Sequence, residues 1–191
     1  MKLNKEKGFT LLETLVAVAI MMIAIGSAFG LAPEGLVGVR FAKNQTTATY
    51  LAQEAMEVAR NIRDNSMFFS GDSSDPTNWL NGLLECENRL CTIDTIKRQV
   101  EPCLTECPPL FVRLSSNGSL VYENYNRVTT AENSKQSIFT REITIKKKDN
   151  SVIGRDDTEA VLTVKVRWKE GISTKTTEIN ETLFDWWTFN K

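Results

Sequence analysis

Four cysteines are the most closely spaced reactive side chains in this sequence of 191 residues. They are Cys86, Cys91, Cys103 and Cys107. An even number of clustered cysteines predicts two disulfide bonds if this part of the chain is exported, and three pairings remain open. The alternative is a zinc site, because C-x4-C followed by C-x3-C could supply four thiolates. The usual structural knuckle has the shorter C-x2-C spacing, so we favour disulfides.

Histidine is absent from the chain. This absence removes the commonest general base and the commonest zinc ligand, so serine-triad chemistry and histidine-containing metal sites are excluded. The remaining residues offer no recognisable nucleophile and base pair and no phosphate-binding loop. We therefore expect a protein that is not an enzyme and that holds no metal and no cofactor.

A single carboxylate interrupts the apolar run near the N-terminus. Between Phe9 and Ala32 the only charged side chain is that of Glu13. A helix over this run would rise about 36 Å, which is enough to cross a hydrocarbon core of about 30 Å. Three lysines precede the run, which favours a cytoplasmic N-terminus with the rest of the chain outside. A carboxylate inside a membrane helix is energetically expensive, so we predict that Glu13 is functional.

The segment Gly8-Phe9-Thr10-Leu11-Leu12-Glu13, with lysines before it and an apolar run after it, resembles the class III signal of type IV pilins and pseudopilins. The resemblance implies that a prepilin peptidase cuts between Gly8 and Phe9 and methylates the new amino terminus. It also implies that Glu13 neutralises the amine of a neighbouring subunit during assembly, and opposite charges attract strongly in a layer of low dielectric constant. The alternative is that Glu13 merely snorkels to the lipid headgroups.

The same resemblance implies partners and a location. The partners would be other pilin or pseudopilin subunits, the prepilin peptidase, an inner-membrane assembly platform and, before assembly, membrane lipid. The chain would first be a single-pass protein of the inner (cytoplasmic) membrane and then part of an extracytoplasmic filament. A pilus, a type II secretion system and a competence system share this signal, so the sequence does not choose among them.

The elements that position these residues follow from hydrophobic periodicity. We predict a transmembrane helix at 9–32 from the apolar run and a helix at 33–65 that continues into a head. The resemblance implies in addition that residues 1–8 are a cytoplasmic leader and that the helix at 9–32 forms a filament core. Pro33, followed by two nearby glycines, predicts a kink or melted stretch between the two helical parts. The polar side of the second part carries Glu54 and Glu57, which we interpret as solvated residues without a catalytic role.

The rest of the chain, 66–191, predicts an antiparallel sheet. Its first part, 66–109, is rich in turn residues and contains the cysteines, so we interpret it as an irregular insertion. Asn117-Gly118 between two apolar runs predicts a hairpin. Alternating apolar residues predict three further strands, at about 138–146, 160–168 and 176–187. The expected fold class is therefore α+β and pilin-like: a long N-terminal helix, membrane-spanning in its first half, packed on an antiparallel sheet.

Two rival functions are weighed against a filament subunit. The first is a membrane-anchored binding module that never polymerises and recognises DNA, a surface or a secreted substrate. The second is a secreted protein whose ordinary signal peptide is cut between Ser27 and Gly30. A separate question is DNA uptake by a competence filament, which could use the basic residues 146–148 with 165, 167 and 169. The net charge of −1 and the lack of interleaved aromatics make nucleic acid an unexpected partner.

Overall fold

The computed structural model describes residues 8–70, 78–124, 134–148 and 158–186. The chain divides into two units, Met1–Lys43 and Asn44–Lys191. We call the described part of the first unit the stalk and that of the second the head. The helix α1 (Leu11–Ser70) contributes residues to both units. The head adds two short 3-10 helices, Asn78–Leu80 and Leu84–Cys86, and the strands β1 (Cys91–Asp94), β2 (Gln99–Pro102), β3 (Pro109–Leu114), β4 (Leu120–Glu123), β5 (Lys135–Lys147), β6 (Glu159–Glu170) and β7 (Ser173–Phe184).

Helix α1 runs through Pro33 without interruption, so the melted stretch predicted at this position is wrong, whereas a kink there stays a prediction. Proline lacks an N–H and therefore removes one backbone hydrogen bond of the helix. Adding residues to an existing helix is far easier than starting a new one. The helix therefore passes through Gly35 and Gly38 as well.

The helix also ends later than predicted, at Ser70 rather than near Asn65. The reason lies in its last turns, where the Met67 side chain is buried in the core of the head. The Ser66 hydroxyl donates to the backbone oxygen of Ile62, 2.9 Å away, which satisfies that side chain within the helix. The polar residues 64–66, which predicted the end of the helix, are thus followed by another buried residue, Met67.

Strand β5 is the centre of a seven-stranded sheet. Along one edge it pairs with β6, which in turn pairs with β7. Along its other edge it pairs with β3 near its start and with β1 near its end. The short strands β4 and β2 extend those two branches. The paired ladders are antiparallel, so this part of the fold prediction is confirmed.

The insertion predicted at 66–109 is not wholly irregular, because β1 and β2 form a hairpin within it. All four residues of β1 are buried, so the strand lacks the alternation by which a half-buried strand is recognised. The Asp94 carboxylate accepts hydrogen bonds of 2.9 Å from the backbone N–H groups of Ile96 and Lys97 and so stabilises the turn. The predicted hairpin around Gly118 is confirmed, and that glycine has a φ of 81°.

One face of the sheet packs against the head part of α1. Leu162, Val164 and Val166 of β6 are fully buried, and their neighbours along the strand lie on the opposite face. The apolar stripe of the helix covers this inner face, as the periodicity predicted. The fold is therefore α+β and pilin-like, with an N-terminal helix packed on an antiparallel sheet. The buried residues of the stripe are Ala48, Leu51, Ala52, Ala55, Met56, Ala59 and Ile62.

Candidate processing and assembly site

The stalk helix begins directly after the motif and is capped by it. Thr10 precedes the first helical residue, and its hydroxyl accepts a hydrogen bond of 3.4 Å from the backbone N–H of Glu13. Its carbonyl oxygen accepts another, of 3.2 Å, from the N–H of Thr14. The spacing Thr-x-x-Glu is that of a capping box, and a carboxylate in the first turn is stabilised by the helix dipole. Sequence reasoning missed this cap, although the spacing itself was the available signal.

Glu13 is exposed, and among the described residues its carboxylate forms no ion pair. Two other polar side chains of the stalk, both hydroxyls, form hydrogen bonds within the helix. The hydroxyl of Thr14 donates to the carbonyl oxygen of Leu11, and that of Ser27 donates to the carbonyl oxygen of Ala24, each at 2.9 Å. Such bonds let hydroxyls enter an apolar environment at little cost. The ionised Glu13 carboxylate has no proton to donate to a carbonyl oxygen in this way, so it is suited to a charged partner from another molecule.

Gly8 lies outside the helix in open space. A Cβ atom added to this residue would meet no heavy atom within 4 Å. The folded chain therefore does not require glycine here for packing. A requirement for the smallest residue would have to come from another molecule that closes around the backbone, such as a peptidase.

The stalk exposes large apolar side chains around its whole circumference. Phe9 is 79% exposed and Leu15 is 63% exposed, whereas Leu51 on the head part of the same helix is 4% exposed. A helix that is apolar on every side is normally buried in a core or in lipid. The stalk therefore has a surface made for contact with other molecules. The other large apolar residues exposed there are Leu11, Leu12, Val16, Val18, Ile20, Met21, Met22, Ile23, Ile25, Phe29, Leu36, Val37, Val39 and Phe41.

Among the residues that the structure describes, no helix is both long enough and apolar enough to cross a membrane.

In the head, the buried Arg141 joins three elements. Its guanidinium donates to the carbonyl oxygen of Leu51 on the helix at 3.2 Å and to that of Ile93 on β1 at 3.0 Å. It also forms an ion pair of 2.8 Å with Glu54, whose side chain is 45% exposed. Burial lowers the pKa of Arg141, and the Glu54 carboxylate opposes that lowering. Glu54 is thus a structural partner, a role that its solvent-facing position in the helix did not reveal.

The four cysteines form two disulfides, Cys86–Cys91 and Cys103–Cys107. Each sulfur is therefore bonded to another, and the zinc alternative is not realised. Cys86 and Cys91 are both fully buried and join the second 3-10 helix to β1. The second disulfide closes a small ring before β3, in which Leu104 is fully exposed. Among the described residues, no group of histidine, cysteine, aspartate and glutamate side chains could hold a metal ion.

The basic residues weighed for nucleic acid are largely paired with carboxylates. Lys147 pairs with Glu87 at 3.4 Å and Lys148 with Glu159 at 3.0 Å. Across the sheet, Lys165 pairs with Glu178 at 3.0 Å, and Arg167 forms a short ion pair with Glu142. Hydrogen bonds from Lys165 lower the pKa of Glu178, which keeps that partner charged. These pairs reduce the positive potential that phosphate binding requires.

A cavity of about 500 Å³ lies on the outer face of the sheet, the face opposite α1. Its floor includes Thr140 of β5, Arg167 and Lys169 of β6, and Thr174 of β7. Glu106, from the small disulfide ring, forms part of its wall. The lining combines hydroxyls, two cations and one carboxylate with the apolar side chains of Pro109, Ile138 and Trp168.

Residues 3–29 match the prokaryotic N-terminal methylation motif. The match supports a type IV pilin-like prepilin signal in this chain, as the resemblance of its first residues implied. It includes Gly8, Phe9 and Glu13 but does not reach the head. Comparisons with curated proteins and with solved structures found no match.

Proposed function

We propose that this chain is a structural subunit, and not an enzyme, of a type IV pilus-like filament. The observation that carries the proposal is the stalk helix, which is apolar on every side and begins directly after a prepilin-type signal. Packing between the stalks of neighbouring subunits would remove this surface from water, at about 25 cal/mol for each Å² of apolar area. The head folds around its own core and would lie outside the packed stalks.

The first step of this function is cleavage by a prepilin peptidase between Gly8 and Phe9. The open surroundings of Gly8 support it, because a protease needs an accessible backbone at the cut. Phe9 is also exposed and precedes the first helical residue by two positions. Methylation of the new amine of Phe9 keeps its positive charge, so the product carries a cation four residues before Glu13.

The second step is assembly, in which Glu13 pairs with the amine of Phe9 on a neighbouring subunit. Two opposite charges in an apolar layer attract far more strongly than in water. Leaving either charge unpaired there would be expensive, so the pair favours one register between adjacent stalks. The Glu13 carboxylate is the only charged group between Phe9 and Ala32 and forms no ion pair among the described residues, which supports this role.

Before assembly, lipid would cover the stalk in the inner membrane, with the head outside. This stage rests on the signal and on the sequence of the run from Phe9 to Ala32. The assembly platform and the other subunits of the same machine would then be its partners. We favour a minor pilin or pseudopilin over a major subunit, because the cysteine-containing segment and the tryptophan-rich end resemble accessory heads.

The assembly step is tested with Glu13→Gln, and Glu34→Gln serves as the matched control. The observed cap uses the backbone N–H of residue 13, so Glu13→Gln removes the charge while it preserves the helix start. Glu34 is an exposed carboxylate on the same stalk helix, beyond the apolar run. We expect at least a tenfold loss of incorporation into filaments for Glu13→Gln and no loss for Glu34→Gln. Equal incorporation of both variants would show that charge pairing at Glu13 is not the mechanism.

The second candidate is a membrane-anchored binding module that does not polymerise. The observation in its favour is the polar cavity on the outer face of the head. Such a module would keep its stalk in lipid permanently and would not co-sediment with filaments. Recovery of the wild-type chain in sheared filaments would exclude this candidate.

A further inference from the structure

Strand β7 forms one edge of the sheet and is the longest edge strand. It has 12 residues, whereas the other edge strands, β2 and β4, have four each. Its pairing with β6 continues without interruption from Glu159 opposite Phe184 to Glu170 opposite Ser173. Within the described residues, β7 pairs with no strand other than β6. It contains no proline and no bulge, two of the devices that protect exposed edges from pairing.

The hydrogen-bond pattern shows which residues of β7 face away from β6. The N–H of Asp185 donates to the carbonyl oxygen of Thr158 at 2.9 Å, which fixes the phase of this ladder. Because bonded pairs alternate along an antiparallel ladder, the odd-numbered residues of β7 bond to β6. The backbone groups of the even-numbered residues therefore point to the open edge. These residues are Thr174, Thr176, Glu178, Asn180, Thr182 and Phe184.

We propose that this edge pairs with the β7 edge of a second copy of the chain, antiparallel and with Ile179 opposite Ile179 on a two-fold axis. An extended strand is the structure whose N–H and C=O groups repeat at the spacing that the edge offers. In this register the even-numbered residues of one copy lie opposite the even-numbered residues of the other. Their N–H and C=O groups, which point away from β6, can therefore bond to each other. This register is compatible with the ladder that β7 already forms with β6.

Charge favours this register over the two-fold register that has Glu178 on the axis. With Ile179 on the axis, Glu178 lies opposite Asn180 of the other copy, and Thr176 lies opposite Thr182. The Asn180 amide already donates to Glu178 of its own chain, and its second N–H remains suited to the Glu178 carboxylate of the other copy. A shift of the axis to Glu178 would place two carboxylates directly opposite, which is destabilising.

The pairing has a consequence for assembly, which depends on the filament role proposed above. A two-fold contact closes on itself and sets the two heads in opposite directions. Subunits of a helical filament share one direction instead. A pair joined through β7 would therefore hold two subunits out of the filament.

Register-specific cysteine crosslinking of the full chain in detergent tests the pairing. All four native cysteines are in disulfides, so an introduced cysteine would be the free thiol. In the proposed register the two Ile179 residues form a non-hydrogen-bonded pair. The Cα atoms of such a pair lie about 4.5 Å apart, a distance that a disulfide can span. We expect mild oxidation to crosslink Ile179→Cys at least ten times faster than Thr176→Cys, although Thr176 is the more exposed residue. Equal rates, or faster crosslinking of Glu178→Cys, would overturn the proposed register.

A second measurement removes the edge without breaking the head. Thr182→Pro deletes one outward N–H, and edge strands accept proline where the N–H faces solvent. Thr182→Val keeps the N–H and is the matched control. Sedimentation of the full chain should show at least tenfold weaker dimerisation for the proline variant, with unchanged circular dichroism. A wild-type chain that stays monomeric, or a proline variant that dimerises like wild type, would contradict the proposal. Neither result depends on cleavage at Gly8 or on filament formation.

Discussion

The stalk and the head use one helix in two different ways. In the head, the helix has an apolar stripe that is buried against the sheet, and its other side is polar. In the stalk, apolar side chains surround the helix and stay exposed. The head therefore contains its own hydrophobic core, whereas the stalk has apolar surface without a core of its own. The comparison indicates that the head determines its own stability and that the stalk depends on other molecules.

The largest expected effect comes from truncating the same residue type in the two regions. Leu162 is fully buried in the head, and Leu162→Ala should lower the free energy of unfolding by about 3 kcal/mol, because the lost contacts leave a cavity. Leu15 is 63% exposed in the stalk, and Leu15→Ala should change the free energy of unfolding of the head by less than about 0.5 kcal/mol. Urea titration in detergent, followed by tryptophan fluorescence, measures both because all four tryptophans lie beyond residue 78. Similar losses for the two variants would remove the distinction between the regions.

The two disulfides sharpen the comparison within the head. Closing either small loop is worth about 2 kcal/mol by loop entropy. Cys86 and Cys91 are also part of the core, so replacing both with alanine should cost about 3 kcal/mol. The same change at Cys103 and Cys107 should cost less, because these cysteines lie outside the core cluster and residues 104–106 between them are exposed. If the variant without Cys103 and Cys107 is the less stable of the two, the proposed difference between the two disulfides is wrong.

A third pair of variants compares two carboxylates on the helix of the head. Glu54→Ala leaves the buried Arg141 without its ion pair and should cost about 2 kcal/mol, which is less than for a fully buried pair because Glu54 is half exposed. Glu57 pairs with Arg60 at 2.9 Å, but its side chain is 74% exposed, so Glu57→Ala should cost less than about 1 kcal/mol. Urea titration of the two variants side by side provides the measurement. Equal losses would mean that Arg141 does not depend on Glu54.

Sequence reasoning succeeded where a signal is local. The motif from Gly8 to Glu13, the Asn117-Gly118 turn and the alternation in β6 are each contained in a short stretch, and each was recognised. Arg141 was missed although it lies on the same buried face of β5 as Ile143 and Ile145. Its partner Glu54 is 87 residues away, and no local pattern connects the two. The melted stretch at Pro33 was predicted from the local effect of proline, but helix α1 continues through this residue.

The smallest effect concerns pH. Burial raises the pKa of Tyr122 above its ordinary value of 10.0. The unfolded chain therefore loses the Tyr122 proton at a lower pH than the folded head. The contribution of this proton to the free energy of unfolding is complete below about pH 10, and it is lost as the pH rises through the pKa of Tyr122 in the folded head. Tyr122→Phe should flatten the alkaline limb of a plot of stability against pH. An unchanged limb in the variant would assign the loss to other groups.

The central claim is that the stalk is processed as a prepilin and then covered by its neighbours. Mass spectrometry of the N-terminus of the mature protein tests it most directly. We expect a chain that begins with a methylated Phe9. An intact Met1 would contradict processing and favour the membrane-anchored module, and a cut between Ser27 and Gly30 would contradict it in favour of secretion.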